Sequence, residues 1–191
     1  MQEKLSFNFP EGTEDLSIAE FFMFYLYFKD LCRMICRESI HYSCQNGRNF
    51  SCTPKEIEIF FGVTYYMGIV VLPTYGDYFR TDDIEQLFVR NAMPRDRFVE
   101  ILQNLHFNGN MERQATVDKA WKVRSLILHF NFVYQRHANE VKSQSVDEHM
   151  VKFKGNNTMK QYIQNKPIKW GFKIWERCCS LTGCLTKFFA D

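Results

Sequence analysis

The strongest chemical feature of the sequence is a basic, aromatic stretch at residues 149–175 that contains no aspartate or glutamate. Lysine side chains attract phosphates, and aromatic faces can stack on bases or sugars, so the stretch predicts a nucleic-acid contact. A solvated strand face, with lysines protecting a sheet edge, explains the same composition equally well. The basic and aromatic residues are Lys152, Lys154, Lys160, Lys166, Lys169 and Lys173, with Tyr162, Trp170 and Trp175 between them.

Two carboxylates, Asp147 and Glu148, stand just before this stretch. A carboxylate on a strand beside a phosphate-attracting surface could bind Mg²⁺, and paired metal ions stabilise the attacking and leaving oxygens in phosphoryl transfer. Mg²⁺ requires near-octahedral oxygen coordination, usually from more than one carboxylate together with waters and substrate. Asp147 alone does not make that centre, and the residues by themselves favour an ordinary polar side chain at a strand end.

The other candidate groups carry weaker signals. His106 and His129 have no further ligand at metal spacing, and Asp82–Asp83 precedes a helix, where carboxylates complement the dipole. The seven cysteines form no Cys-x-x-Cys pair, so free thiols in a reducing compartment are favoured over a zinc site. The sequence has no glycine-rich phosphate loop and no nucleophile elbow.

Composition limits the class of protein without identifying it. The 191 residues are 46% hydrophobic and carry 24 basic against 22 acidic side chains, a net charge of only +2. Any nucleic-acid site must therefore come from local clustering of charge. The start of the chain is polar and acidic where a secretory signal would be basic and apolar, and the most apolar run, residues 21–28, is too short to span a bilayer.

The elements that must position these residues fall into two regions. Ser17 and Glu20 have capping-box spacing, which predicts a helix that continues past Ile35, and the polar residues 39–51 are typical of a loop. Thr53, Pro54 and Glu56 predict a second helix start, with the helix running to about Met67. Further helices are predicted over residues 84–90, 95–105 and 119–140.

Helical periodicity disappears after about residue 142. Residues 145–147 are typical of a short strand, residues 168–175 alternate in the manner of a strand, and residues 184–189 form its return after a turn. The sequence therefore predicts a mainly α chain with a C-terminal β segment, an α+β arrangement. A sheet of two or three strands would leave an open edge and an uncovered apolar face, and we expect it to be marginally stable alone.

A series of motifs resembles the piggyBac family of transposases and their domesticated derivatives. The helical part carries FFGV at 60–63, MGI at 67–69, LP at 72–73, PRDRF at 94–98 and LHF at 105–107. The most specific part is VDEHMVKFKG at 146–155, followed by KQY at 160–162 and KPIKWGFKIW at 166–175. The resemblance runs from about Glu56 to the end of the chain.

The resemblance implies a domain organisation. Residues 1–13 would be a disordered lead-in, and residues 14–142 a helical region for dimerisation and DNA binding. Residues 143–191 would open an RNase H-like DDE catalytic domain. In the family that domain carries three aspartates that bind two Mg²⁺ ions and act at TTAA targets, and Asp147 falls on the first of them. DNA, either end-specific or non-specific, and a second copy of the chain are the implied partners, in the nucleus, with no membrane or small-molecule substrate.

The chain differs from the family pattern, and the differences determine which function we expect. Only 44 residues follow Asp147, whereas the family's second and third aspartates and its zinc domain lie further along. We therefore expect a truncated, catalytically inactive transposase derivative that retains DNA binding, with no cofactor of its own. A fragment of an active transposase and a protein-interaction module without DNA binding are the alternatives. DNA contact is assigned to Lys152, Lys154, Lys160, Lys169 and Lys173, and Asp147 to an incomplete Mg²⁺ site.

Overall fold

Helices followed by an antiparallel sheet make up the part of the chain that the computed structural model describes. That part is Ser17, Glu20, Met23 and residues 26–80, 87–109, 118–137 and 143–190. The helices are α1 (Phe28–Gln45), α2 (Pro54–Ile69), α3 (Leu87–Ala92), α4 (Arg95–Asn104) and α5 (Trp121–His137), with a 3₁₀ turn at Tyr75–Phe79. The strands are β1 (Gln144–Lys152), β2 (Lys160–Tyr162), β3 (Trp170–Cys179) and β4 (Leu185–Ala190). No helix among these residues is long and apolar enough to cross a membrane.

Helix α1 differs from its prediction at both ends. The Ser17–Glu20 capping box forms, with the Glu20 amide donating to Ser17 Oγ at 3.3 Å, but Tyr27 has a left-handed φ of 48° and α1 begins only after it. At its other end α1 continues to Gln45 through residues predicted as a loop. Its polar residues Ser39 and Ser43 are buried, and Ser39 Oγ accepts from the His106 amide at 3.0 Å. Serines that are satisfied in this way do not end a helix.

Helix α2 starts as predicted, at a complete capping box. Thr53 Oγ1 accepts from the Glu56 amide at 3.2 Å, and Glu56 accepts from the Thr53 amide at 2.8 Å. Arg97 of α4 donates to Glu56 at 2.8 Å and to the Ser51 carbonyl at 2.7 Å. The hydrogen bond from Arg97 holds the pKa of Glu56 below its usual value. One guanidinium thus joins α4 to the start of α2.

The core of residues 28–112, which form one compact unit, is built from aliphatic and aromatic side chains of α1, α2 and α4. Ile35, Ile57 and Ile101 are completely buried. The Phe60 and Phe98 rings stack with centroids 4.8 Å apart. Burial of such side chains contributes roughly 1.5–3 kcal/mol each. Part of the chain's phenylalanine, which makes up 19 of its 191 residues, is therefore used for packing between helices.

All seven cysteines are free thiols, as the sequence predicts. Burial raises the pKa of Cys52, and also that of Cys32, to about 12. A thiol with so high a pKa carries almost no thiolate at neutral pH, so neither side chain is a ready nucleophile. Cys32, Cys36 and Cys179 are buried and serve as small packing residues.

Helix α5 belongs to the second compact unit, which among the described residues also contains the sheet. The Asn131 side chain donates to the Phe188 carbonyl at 2.6 Å and accepts from the Phe188 amide at 2.8 Å. One amide side chain thereby pairs with β4 as a neighbouring strand would. The second unit comprises residues 1–27 and 113–191.

Strand β3 is the centre of the sheet. Strand β1 pairs with it antiparallel along one side, from Gln144 opposite Cys179 to Lys152 opposite Gly171. Strands β2 and β4 pair with successive parts of its other side. Strand β2 was not predicted from the sequence, and β1 was predicted to end near Asp147. Both differences give β3 a partner on each side, so the sheet is better paired than expected.

Gly171 sets the spacing between β1 and β3 at one end of the sheet. A Cβ atom at this position would fall well inside contact distance of the Val151 carbonyl oxygen, which is backbone and cannot rotate away. Any side chain at position 171 must therefore separate the two strands. Only glycine permits this approach.

We predict that Gly171→Ala destabilises the sheet by about 1–3 kcal/mol, because it overpacks a backbone contact. The matched control is Gly62→Ala in α2, where a Cβ would meet nothing within 4 Å. That change should be neutral or stabilise by roughly 0.5–1 kcal/mol, since alanine favours helix. Chemical denaturation of each variant measures the difference, and an unchanged Gly171→Ala midpoint would contradict this account of the strand spacing.

Candidate nucleic-acid interface

Four of the five lysines predicted to contact DNA lie around one open groove of about 520 Å³ at an end of the sheet. They are Lys152, Lys154, Lys160 and Lys169. The remaining lining is apolar, and no carboxylate is part of it. The other lining residues are Phe153, Pro167, Ile168 and Trp170.

The register of the strands explains why these lysines converge. Lys152 ends β1 opposite Gly171, and Lys160 begins β2 opposite Phe172. Both partners lie at the start of β3, so the end of β1, the start of β2 and the segment before β3 meet at one end of the sheet. Close strand contact at Gly171 keeps the lysines on β1 and β2 near one another. Residues separated by up to 17 positions in sequence thus form one positive surface.

Aromatic side chains accompany the lysines. Tyr162 and Trp170 are cross-strand neighbours, and their ring centroids are 4.9 Å apart with planes inclined at 47°. Lys160 Nζ lies 5.4 Å from the centroid of Trp170 and donates to the Gly155 carbonyl at 3.0 Å. Trp170 remains 55% exposed. The groove therefore presents both positive charge and an accessible aromatic face.

Lys173, the fifth predicted lysine, is not part of the groove lining. Successive side chains of a strand point to opposite faces, which puts Lys173 and Trp175 on the face opposite Trp170. Lys173 Nζ lies 5.0 Å from the centroid of the Trp175 ring. Lysines of the same basic stretch thus have two different surroundings.

Asp147 lies in the middle of β1, not at a strand end, and its cross-strand partner is Glu176. Its side chain is 75% exposed. Oδ1 accepts from the Glu148 amide at 2.8 Å, and Lys166 Nζ approaches the same oxygen at 3.4 Å. The Glu148 amide, followed by the charge of Lys166, holds the pKa of Asp147 below its usual value. Asp147 is therefore ionised at neutral pH.

Sequence reasoning placed Lys166 in the basic stretch but gave it no role at the site. Its ammonium also donates to the Glu148 carbonyl at 2.8 Å and lies 3.7 Å from the Glu148 carboxylate. A contact between residues 18 and 19 positions apart, through an irregular segment, leaves no periodic signal in the sequence. Lys166 is thus directed to the carboxylates, and not to the groove.

The described residues do not by themselves fit a two-magnesium centre. Among them no three His, Cys, Asp or Glu side chains are grouped so that they could hold a metal ion. Asp147 and Glu176 share one face of the sheet, while Glu148 alternates to the other. Asp82, Asp83 and Asp191, as well as the lead-in 1–13, lie outside the described residues.

The two histidines considered as ligands make structural contacts. The His106 ring stacks on Tyr42 with centroids 3.8 Å apart and planes inclined at 6°. His129 Nε2 lies 2.9 Å from the Leu26 carbonyl oxygen. Each histidine therefore makes its contact within its own unit.

The helices, the antiparallel sheet and a basic groove at one end of that sheet are compatible with nucleic-acid binding, and comparison with known proteins gives the class. Residues 19–190 match the family described as Transposase IS4. This match covers most of the chain, which therefore belongs to that transposase family.

Within this class the chain is related to piggyBac-derived proteins. PiggyBac transposable element-derived protein 3 of Homo sapiens is 33% identical over 147 residues, 76% of this chain and 25% of that protein. PiggyBac transposable element-derived protein 2 of Homo sapiens is 33% identical over 167 residues, 86% of this chain and 28% of that protein. The chain thus spans about a quarter of the length of these relatives. The resemblance stated from the motifs is confirmed.

A solved structure supports the fold. A piggyBac transposase in a synaptic complex with hairpin DNA, determined by cryo-EM, matches with a TM-score of 0.70 over 95% of this chain and 40% of that chain. The sequences are 21% identical, so the likeness is one of fold. The predicted combination of helices and a C-terminal β segment is confirmed.

We predict that Lys166→Gln raises the pKa of Asp147 towards its ordinary value. The rise should be partial, because the Glu148 amide continues to donate to the carboxylate. Titration of the Asp147 carboxyl carbon by NMR measures the change, and Lys169→Gln, three residues along, serves as a control with the same loss of charge. An Asp147 pKa that is the same in Lys166→Gln and the unchanged chain would show that the ion pair has no influence.

Proposed function

We propose that this chain is a piggyBac-derived DNA-binding protein that holds DNA through the lysine groove and does not by itself cut or join DNA. The observation that carries the proposal is the convergence of Lys152, Lys154, Lys160 and Lys169 around one carboxylate-free groove. Because the chain belongs to a transposase family, DNA is the ligand that we expect these lysines to bind.

The groove suits phosphates for a physical reason. Each lysine that neutralises a phosphate releases condensed counterions, which provides most of the affinity for nucleic acid. Lys166 is held by Asp147 and Glu148, so the four groove lysines are not neutralised by these carboxylates. With a net charge of only +2 on the whole chain, this local cluster is the feature that would attract a polyanion.

We propose further that the sheet is the opening of an RNase H-like domain and that Asp147 corresponds to the first of the family's three aspartates. The position of Asp147 in the middle of β1 supports this assignment, as does the likeness of fold to a piggyBac transposase. Phosphoryl transfer with two metal ions needs several carboxylates around the reacting phosphate. Asp147 and its described neighbours provide too few for that chemistry.

A segment of an active transposase is the second candidate function, and the exposure of Asp147 favours it. A carboxylate that is 75% exposed and ionised could act with carboxylates from a further segment. The transcript that encodes this chain distinguishes the two functions. A downstream strand that supplies a second aspartate would favour the active enzyme.

We predict that replacing Lys152, Lys154, Lys160 and Lys169 together by glutamine weakens binding of duplex DNA and flattens its salt dependence. If all four lysines contact phosphates, the slope of log K against log salt should decrease in magnitude by about 3 to 4. The control replaces Lys29, Lys119, Lys122 and Lys187, which are exposed and outside the groove, and so removes the same charge.

Fluorescence anisotropy over a range of salt concentrations measures both variants. The groove variant should lose most of its affinity and the control variant little. Equal losses would show that binding depends on net charge alone. Absence of binding to DNA at low salt in the unchanged chain would favour a protein-interaction module instead.

We predict no Mg²⁺-dependent nicking of supercoiled plasmid by this chain, because Asp147 lacks the partner carboxylates of a metal centre among its described neighbours. Gel electrophoresis after prolonged incubation with Mg²⁺ measures the product, with Asp147→Asn as the matched variant. Nicking that requires Mg²⁺ and disappears in Asp147→Asn would overturn the claim of inactivity.

DNA binding by the groove would also imply where the chain acts and whether it pairs with a second copy. A DNA-binding chain of this kind would act in the nucleus, and the helical unit of residues 28–112 is the candidate for pairing with a second copy. Sedimentation of the chain with and without DNA tests that pairing. A monomer under both conditions would contradict it.

A further inference from the structure

Two rings at the groove remain accessible although they lie in a sheet. Tyr162 is 50% exposed and Trp170 55% exposed, whereas Met150 of the same sheet is only 4% exposed. Phe172, two residues along β3 and so on the same face as Trp170, packs against Phe153 with ring centroids 4.6 Å apart. Tyr162 and Trp170 therefore lie next to an aromatic contact that is already formed.

Lysines lie close to both rings in the sheet. Tyr162 lies in β2 and Trp170 begins β3, directly opposite it. Lys160 in β2 and Lys169 adjoin them in sequence, and Lys152 lies opposite Gly171, the residue after Trp170. Trp170 lines the positive groove, and Tyr162 contacts it from the neighbouring strand. An exposed aromatic pair at such a groove matches a ligand that offers phosphate charge and a flat face together.

We propose that the groove prefers single-stranded or unpaired DNA, with a base stacked on the Tyr162–Trp170 pair and the flanking phosphates held by Lys152, Lys154 and Lys169. This inference rests on the proposed function, because it names the form of DNA that the same groove binds. A volume of about 520 Å³ lies within the range of small-ligand pockets, roughly 300–1,000 Å³, which is ample for an unstacked base.

Duplex DNA cannot use the aromatic pair. The faces of its bases are covered by their neighbours in the stack, so only phosphates and groove edges are presented to a protein. A duplex would therefore bind the lysines alone, whereas a single strand would also gain the stacking contact. Base–aromatic stacking typically contributes enough that removing one ring weakens binding by roughly ten-fold or more.

The experiment compares two probes on the full chain: a labelled oligothymidine of about 15 nucleotides and a blunt duplex of the same length. The variants are Trp170→Leu and Tyr162→Leu, with Trp170→Phe as the conservative change that keeps a ring. The matched control is Phe189→Leu, which alters an exposed ring of the same sheet that does not line the groove.

We expect the unchanged chain to bind the single strand more tightly than the duplex in matched salt. Trp170→Leu should weaken single-strand binding by about ten-fold or more and leave duplex binding within about two-fold. Trp170→Phe should retain most of the affinity, and Phe189→Leu should change neither probe. The duplex affinity of each variant also reports that its groove lysines are still in place.

Different failures have different meanings. If the leucine variants leave the ratio of single-strand to duplex affinity unchanged, the preference is wrong, while loss of duplex binding in the quadruple lysine variant would still support the groove. If Trp170→Leu weakens both probes equally, the ring only maintains the groove and the stacking proposal is again wrong. If neither probe binds at low salt, the proposed function fails and this inference fails with it.

Discussion

The close pairing of β1 with β3 is the constraint on which the rest of the site depends. Gly171 lets the two backbones approach where any side chain would collide with the Val151 carbonyl. That contact fixes which residues of β1 lie opposite β3, and so puts Lys152 at the groove and Asp147 in the middle of its strand. A shift of the register by one residue would move each of these side chains to the opposite face.

The lysines of the basic stretch differ in the groups that they contact. Lys166 interacts with Asp147 and Glu148, and Lys173 lies beside Trp175 on the other face. The remaining four lysines line the groove with Trp170. Ion pairs that are exposed to water contribute little to stability. The arrangement of these charges therefore bears more on ligand binding than on folding.

The sequence was informative where local rules decide the structure. The Thr53–Glu56 capping box and the alternation at the start of β3 led to elements that the structure contains. It failed where distant contacts decide: Ser39 and Ser43 look like loop residues, but contacts outside their own helical turn satisfy them inside α1. Strand β2 was missed because three residues are too few to show a period. The groove lysines were predicted as a set with Lys173, but the folded sheet brings only four of the five to the groove and gives Lys166 its partners.

The central claim is that the lysine groove is where this chain meets DNA. Hydrogen exchange followed by mass spectrometry, with and without a saturating oligonucleotide at low salt, tests it without any substitution. The account predicts that DNA slows exchange at the end of β1, in β2 and at the start of β3, and leaves β4 unchanged. Slower exchange confined to the helical unit of residues 28–112, with none around the groove, would contradict it.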